Sequence, residues 1–397
     1  MRRNGLIVVV GAGPAGLAAS SRLARVGCPH VVLERGRVGS SWRTQRWDSF
    51  RLNTPRWANR VPGKFLEGPR DSFVTAGELV AAFERLAARL PVVEGAEVFS
   101  ARRSGARWRV DTSRGPLLAD AVVVASGFQN VPRRPDYASA LPSEITQLHA
   151  ADYRRPDELG DGVLVVGGGQ SGVQIADDLL DGGKRVYVAT SRVGRLPRRY
   201  RGRDSYEWLR DNGQLDLPRH EADPATIGAT PPQVAGGRTL SYQHLAARGA
   251  TLLGRAVGLD GYRLGLARDL GENVRFADDA AASLRASWDK RAQLLNGAAQ
   301  SDPADQAAPH LYDARGPAAL DLRDSRISTV IWATGFTPST GWLPVDALDE
   351  RHRPQLPGLH VIGAPWLTHR SSANLYGMAT DAESLASVMT RVPALAA

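Results

Sequence analysis

The chain has 397 residues, 43% hydrophobic and 23% charged, a globular composition long enough for two domains. Its formal charge of +9 comes almost wholly from arginine, since Lys64, Lys184 and Lys290 are the only lysines, and the arginines are too scattered for a nucleic-acid surface. The single cysteine, Cys28, excludes an intrachain disulfide, a Cys-x-x-Cys redox pair and a thiolate metal cluster, and no apolar run approaches the ~18 residues of a membrane span.

Met1-Arg2-Arg3 precedes a short apolar run that ends in a glycine loop, so it reads as the approach to a core strand rather than a signal sequence, and a soluble cytoplasmic protein is expected. Leu6-Ile-Val-Val-Val10 runs into Gly11-Ala-Gly13-Pro14-Ala15-Gly16, which opens a helix to about Val26. The strand His30-Val-Val-Leu33 then ends at Glu34, completing a βαβ unit. Residues 35–71 are irregular and hold Trp42, Trp47 and Trp57. Thr75-Ala-Gly-Glu78 has the pattern of a capping box, in which a threonine hydroxyl and a glutamate satisfy the first N–H groups of a helix, here one reaching about Leu90. Residues 91–118 read as a small meander, and Asp120-Ala-Val-Val-Val124 as a buried strand ending in the turn Ala125-Ser126-Gly127.

The stretch 128–156, rich in proline and arginine, reads as a crossing between domains. A second strand, Val163-Leu-Val-Val166, leads into Gly167-Gly-Gly169-Gln170-Ser171-Gly172 and a second βαβ unit over about 162–190. Between 200 and 325 the pattern weakens, with helical periodicity near 242–256 and 264–298 and a segment rich in Gly, Pro, Ala and Asp at 296–318. Ser328-Thr-Val-Ile-Trp332 is a strand ending in Ala333-Thr-Gly335-Phe336; a last strand at 359–362 precedes a loop and a helix from about Gly377. The expected architecture is α/β, with two dinucleotide-binding domains on parallel sheets and the second inserted into the first: 1–150 and 328–397 form one domain, 151–327 the other.

One glycine loop is weak evidence; two, with different residues at the ribose-reading end, imply two different dinucleotides. Glu34 stands about 23 residues after Gly11, where a carboxylate accepts both ribose hydroxyls and repels a 2′-phosphate, so the first site suits FAD or NAD. The matching position of the second unit is Thr190, followed by Ser191 and Arg192, with Arg198 and Arg199 nearby. Hydroxyl and guanidinium groups hold a 2′-phosphate, which points to NADPH. No cluster has metal-ligand spacing, and no Ser-His-Asp set has local support.

These motifs in this order resemble the flavin-containing monooxygenases, and more narrowly the bacterial single-component class B type. The resemblance is carried by the first loop, the Glu34-Arg35-Gly-Arg-Val-Gly-Ser-Ser41-Trp42-Arg43 stretch, the Ser126-Gly127 turn, the second loop and Ile-Trp-Ala-Thr-Gly335-Phe336. It spans nearly the whole chain and is weakest over 200–325. It implies that FAD contacts Gly11, Gly13, Pro14, Ala15, Gly16, Glu34, Arg35, Ser41, Trp42, Ser126, Gly127, Gly335 and Tyr376. NADPH would contact Gly167, Gly169, Gln170, Ser171, Gly172, Ser191, Arg192 and Arg199. It further implies that NADPH reduces FAD, that a C4a-(hydro)peroxyflavin forms with O2, and that one oxygen atom passes to a small organic substrate, with no nucleic-acid or membrane partner. Asn53 and Asn59 lie where related enzymes place a polar side chain near the flavin, and Trp366 with the segment His369–Gly377 would approach the ring.

The departures concern the family fingerprint Phe-x-Gly-x-x-x-His-x-x-x-Tyr. Its second half stands as His149-Ala-Ala-Asp-Tyr153, but Ser143 and Ile145 replace the Phe and Gly. His149 is a candidate for ordering the interdomain crossing or for acid–base work. An ending in Tyr153 rather than Trp leans away from the Baeyer–Villiger branch, which stays as an alternative on a carbonyl substrate. A further alternative is an NADPH:flavin reductase passing electrons to a partner protein. A flavin-binding sensor would have no use for the second loop.

Overall fold

A computed structural model of the protein describes residues 5–62, 66–294 and 313–391. Two five-stranded parallel sheets organise it. The first has the order Leu359–Val361, Ala121–Val124, Ile7–Val10, His30–Glu34, Val92–Glu94. The second has the order Thr146–His149, Thr329–Trp332, Gly162–Val166, Arg185–Ala189, Thr251–Leu253. The central strands are apolar along their whole length because both faces are covered.

Each sheet is the middle of three layers. The helices Pro14–Arg25, Ala76–Ala87 and Met378–Arg391 pack on one face of the first sheet through Leu17, Leu23, Leu79, Phe83 and Ala382. The antiparallel strands Val98–Ser104, Arg107–Thr112 and Gly115–Ala119, anchored by buried Trp108, cover the other. The second sheet repeats this plan. The helices Gln170–Asp181 and Tyr242–Ala247 lie on one face, and the strands Ala256–Asp260, Arg263–Leu266 and Ala319–Asp321 on the other.

Sheet membership corrects the boundaries expected at 150 and 328. Thr146–His149 and Thr329–Trp332, both assigned from sequence to the first domain, are strands of the second sheet. The chain therefore crosses earlier on the way out and later on the way back. The two crossings meet as an antiparallel pair, Val131–Pro132 against Phe336–Thr337. The helical reading of 242–256 and 264–298 is also corrected. The helix Tyr242–Ala247 is followed by the strands Thr251–Leu253, Ala256–Asp260 and Arg263–Leu266, and the long helix starts at Leu270 and runs to Leu294. These strands are short apolar runs that periodicity alone does not separate from helix. Most of the Gly/Pro/Ala/Asp-rich segment lies outside the described residues. Among the described residues no helix is long and apolar enough to cross a membrane.

Candidate nucleotide sites

Both glycine loops adopt one backbone design. Gly11 has φ +110° and Gly167 φ +122°, values that side chains rarely accept. A Cβ on Gly11 would meet the Ala125 carbonyl, and one on Gly167 the Ala333 carbonyl. Gly16 packs onto the Gly11 carbonyl and Gly172 onto that of Gly167, drawing each helix against its strand. Gly13 and Gly169 are the helix N-caps, at φ −78°, ψ −174° and φ −75°, ψ −173°. Neither would bring a Cβ within 4 Å of anything. That open face, beside a helix N-terminus with N–H groups free of intrahelical partners, has the room and the donors that a pyrophosphate would need. Pro14 and Ala15 form the first turn of one helix, Gln170 and Ser171 of the other.

At the end of its strand, buried Glu34 accepts the Ala12 N–H at 2.8 Å and the Gly36 N–H at 3.0 Å. A cavity of about 340 Å³ opens here, lined by Gly11, Glu34, Arg35, Ser126, Phe99 and Trp342 among others. The Ser126 hydroxyl is buried without a partner, and Gly127 turns the chain at φ +85°. These residues fit the adenosine half of a dinucleotide. Sequence reasoning missed the walls, Phe99 on the meander and Trp342 after the second crossing, because both are distant from the motif.

Ser41 and Trp42 lie on the short helix Ser40–Thr44, capped by Gly39 at φ +69°. Trp42 packs on Phe50 with Arg46 4.8 Å above its ring. Burial pulls the Arg46 guanidinium down to about 10. Trp47 also packs edge-on against Phe50 and belongs to the second core beside Tyr153.

In the second corner Ser191 stands where Glu34 stands in the first, its hydroxyl accepting the Gly168 N–H at 3.0 Å. Thr190, the position matched by counting, faces away and is buried between the Leu253 carbonyl and Asn273. Arg192 is exposed, 4.6 Å over the Phe276 ring, with no carboxylate partner among the described residues. Arg199 is exposed on a hairpin and turns back to the Gly202 carbonyl. Arg198 is corrected: it is buried against Asp204, Ser205 and the Asn53 carbonyl, so it ties the units together. Burial raises the Asp204 carboxyl above its usual range even beside Arg198.

Asn53 lies on the seam. Its amide donates to Gln170 at 3.1 Å and accepts from Gln174 at 2.9 Å, so the first unit grips the helix of the second loop. Ser49 and Tyr153 both donate to Asp178 on that helix. Asn59 does not join them. It is buried in its own turn, its oxygen accepting the Thr54 hydroxyl and its amide nitrogen donating to the Thr54 and Pro55 carbonyls. His149 is wholly buried: Nδ1 accepts the Ala151 N–H at 3.1 Å, so Nε2 carries the proton and donates to the Gly335 carbonyl at 3.0 Å. Burial holds its pKa below the usual value, opposed by the Gly335 bond and Asp152. With both nitrogens used, His149 is a latch on the crossing. Gly335, expected beside FAD, follows a strand of the second sheet and is held by His149 and the Arg133 N–H.

Tyr376 is buried, its hydroxyl 3.3 Å from Asp216 and Arg60 stacked on its ring. It joins Ala58, Trp208, Leu215 and, on the long helix Leu270–Leu294, Trp288 in one apolar cluster. Three parts of the chain thus close over one apolar region. Trp366 holds φ +53°, and in His369–Gly377 the N–H groups of His369, Ser372, Asn374, Tyr376 and Gly377 already have internal partners.

Comparison with known proteins agrees with this arrangement. An uncharacterized oxidoreductase, CzcO-like, of Geobacillus kaustophilus (strain HTA426) is 27% identical over 393 residues, 96% of each chain. The indole-3-pyruvate monooxygenase YUCCA1 of rice (Oryza sativa subsp. japonica) is 35% identical over 211 residues, 50% of this chain and 51% of that one. The structure of a flavin-containing monooxygenase from Stenotrophomonas maltophilia superposes with TM-score 0.62 at 20% identity, covering 97% of this chain and 98% of that one. The model of the pyridine nucleotide-disulphide oxidoreductases matches residues 8–209, and the chain belongs to that family.

Proposed function

We propose that the protein is an NADPH-dependent FAD monooxygenase that inserts one oxygen atom into a small organic substrate. The observation that carries this reading is the pair of loops with one backbone and two different readers, Glu34 and the Ser191–Arg192 corner. Bound at the first loop, FAD supplies hydride acceptance from NADPH and activation of dioxygen.

The chain's own residues bind, orient and exclude water. Gly11, Gly13 and Gly16 let the pyrophosphate approach the backbone. The Ala12 and Gly36 N–H groups hold the Glu34 carboxylate ready for ribose hydroxyls and keep a 2′-phosphate out. Arg192, stacked on Phe276 and otherwise unpaired among the described residues, offers its guanidinium to a 2′-phosphate. Asn53, between Gln170 and Gln174, fixes the second helix N-terminus against the first unit, which sets how far apart the two nucleotides lie. The cluster of Ala58, Trp208, Trp288 and Tyr376 makes a water-poor wall suited to an organic substrate.

The family's name refers to disulphide chemistry, but a chain with Cys28 alone carries no redox dithiol, which weighs against a disulphide reductase. The test is a product mass. With FAD and NADPH the protein should consume one NADPH per substrate and add one oxygen atom. NADPH oxidation yielding only hydrogen peroxide over a broad panel of amines, sulfides and ketones would overturn the proposal.

A further inference from the structure

The second nucleotide corner contains a buried group with no role in the reading above. Tyr242 is wholly buried at the start of the helix Tyr242–Ala247. Its hydroxyl donates to the Ser191 carbonyl at 2.7 Å and accepts the Ser191 N–H at 3.1 Å. It also fills the space over Gly168, where any Cβ would collide with it. Gln233, wholly buried too, donates to the Gly168 carbonyl at 2.8 Å while its Oε1 has no hydrogen-bond partner. Burial pushes the Tyr242 hydroxyl up to about 12, so it stays protonated and able to donate at neutral pH.

Among the described residues the first corner has no buried phenol bonded to the Arg35 backbone. There the carboxylate of Glu34 binds the loop N–H directly. In the second, a short serine hydroxyl does so, and a serine on a free strand end has no fixed direction. With its N–H and its C=O bonded to one buried phenol, the two peptide units that flank Ser191 are tied to a single fixed point. The serine side chain is aimed at Gly168, and the next residue leaves toward Phe276.

We infer that Tyr242 is a positioning residue for nucleotide choice: by clamping the Ser191 peptide it aims the Ser191 hydroxyl and the Arg192 guanidinium at a 2′-phosphate. The inference rests on the NADPH reading of the second loop and names the part of that site that makes the reading selective. It also gives Gly168 a reason, since the phenol stands where the first loop has room for Ala12.

The experiment is calorimetric binding of adenosine 2′,5′-bisphosphate and adenosine 5′-monophosphate to the flavin-loaded protein, as wild type, Y242F, R192A and Y242F/R192A. Y242F keeps the ring and removes only the hydroxyl. It should weaken the bisphosphate about tenfold, the scale of one net hydrogen bond, and the monophosphate less than twofold. On R192A its effect should shrink to the part that acts through Ser191, because both act through one corner. Equal weakening of both ligands by Y242F, or its full effect persisting on R192A, overturns the inference. A wild type that binds both ligands equally, or an R192A that leaves their ratio unchanged, overturns the NADPH assignment itself. Should Y242F not fold, G168A supplies the test from the opposite side. Its Cβ would meet both the phenol and the Ser191 backbone nitrogen, so it breaks the clamp at both ends and should shift the same ratio, and an unchanged ratio counts against the clamp.

Discussion

The two glycine loops share a backbone almost angle for angle and differ in what stands beyond it. Gly11 and Gly167 turn the chain the same way, Gly16 and Gly172 pack onto them, and Ala125 and Ala333 close the same gap. The difference lies at the end of the next strand, with a carboxylate acceptor at Glu34 and a clamped hydroxyl with a neighbouring cation at Ser191–Arg192. On the proposed function, backbone geometry would provide for a pyrophosphate, which every dinucleotide has, and strand-end side chains would decide which dinucleotide enters. The two crossings differ in the same spirit. Asn130 donates to the Ser126 carbonyl at 2.8 Å after the first sheet, whereas His149 holds the Gly335 carbonyl after the second.

The comparison breaks most severely at the loops. Gly11→Ala places a Cβ on the Ala125 carbonyl at a φ alanine resists, and the variant should purify without flavin. Gly167→Ala should stay yellow, yet anaerobic bleaching by NADPH should slow by about 10²-fold, the cost of a misplacement near 1 Å. Absorbance spectra and stopped-flow reduction check both, and loss of flavin from Gly167→Ala would mean the loops are not independent.

A smaller effect separates the crossings by pH. His149 is neutral in the fold, with a pKa depressed from 6.5 by burial. Its stabilisation is complete above the unfolded value and is lost as pH falls through the lower folded one, because the unfolded chain takes up the proton first. Asn130 has no such dependence. The wild type should lose thermal stability between about pH 7.5 and pH 5.5, and His149→Gln, weaker at neutral pH, should show a flatter profile. Parallel profiles would remove His149 from the account.

The smallest effect lies in two helix caps. Thr75 forms a full capping box with Glu78, whose carboxylate is held down to about 2 chiefly by the Thr75 N–H. Ser241 accepts only the His244 N–H, at 3.0 Å. Removing either hydroxyl should cost about 1 kcal/mol in denaturant unfolding. Thr75→Ala should leave nucleotide affinity alone. Ser241→Ala loosens the turn that carries Tyr242 and should also weaken adenosine 2′,5′-bisphosphate.

Much of the parallel architecture was legible because it is written locally. Val163–Val166 followed by Gly167–Gly172 needs no partner to be recognised, and Thr75 through Glu78 announces its own helix. What escaped depends on distant contacts. His149 and Trp332 belong to one sheet through a pairing between strands far apart in the chain, which no local pattern records. Asn53 and Asn59 looked alike in sequence, but one faces Gln170 and the other its own turn. One signal was present and unread: Gly168, the extra glycine where the first loop has Ala12, marks the approach of Tyr242.

The pairing of Val131–Pro132 with Phe336–Thr337 has an architectural consequence. Because the outgoing and returning segments are ladder neighbours, the host fold meets its guest as it would meet a hairpin, and the entropy of closing that gap is small however many residues lie within it. The guest is thus a cassette: a different module with adjacent ends can be spliced at this ladder without rebuilding the flanking sheet.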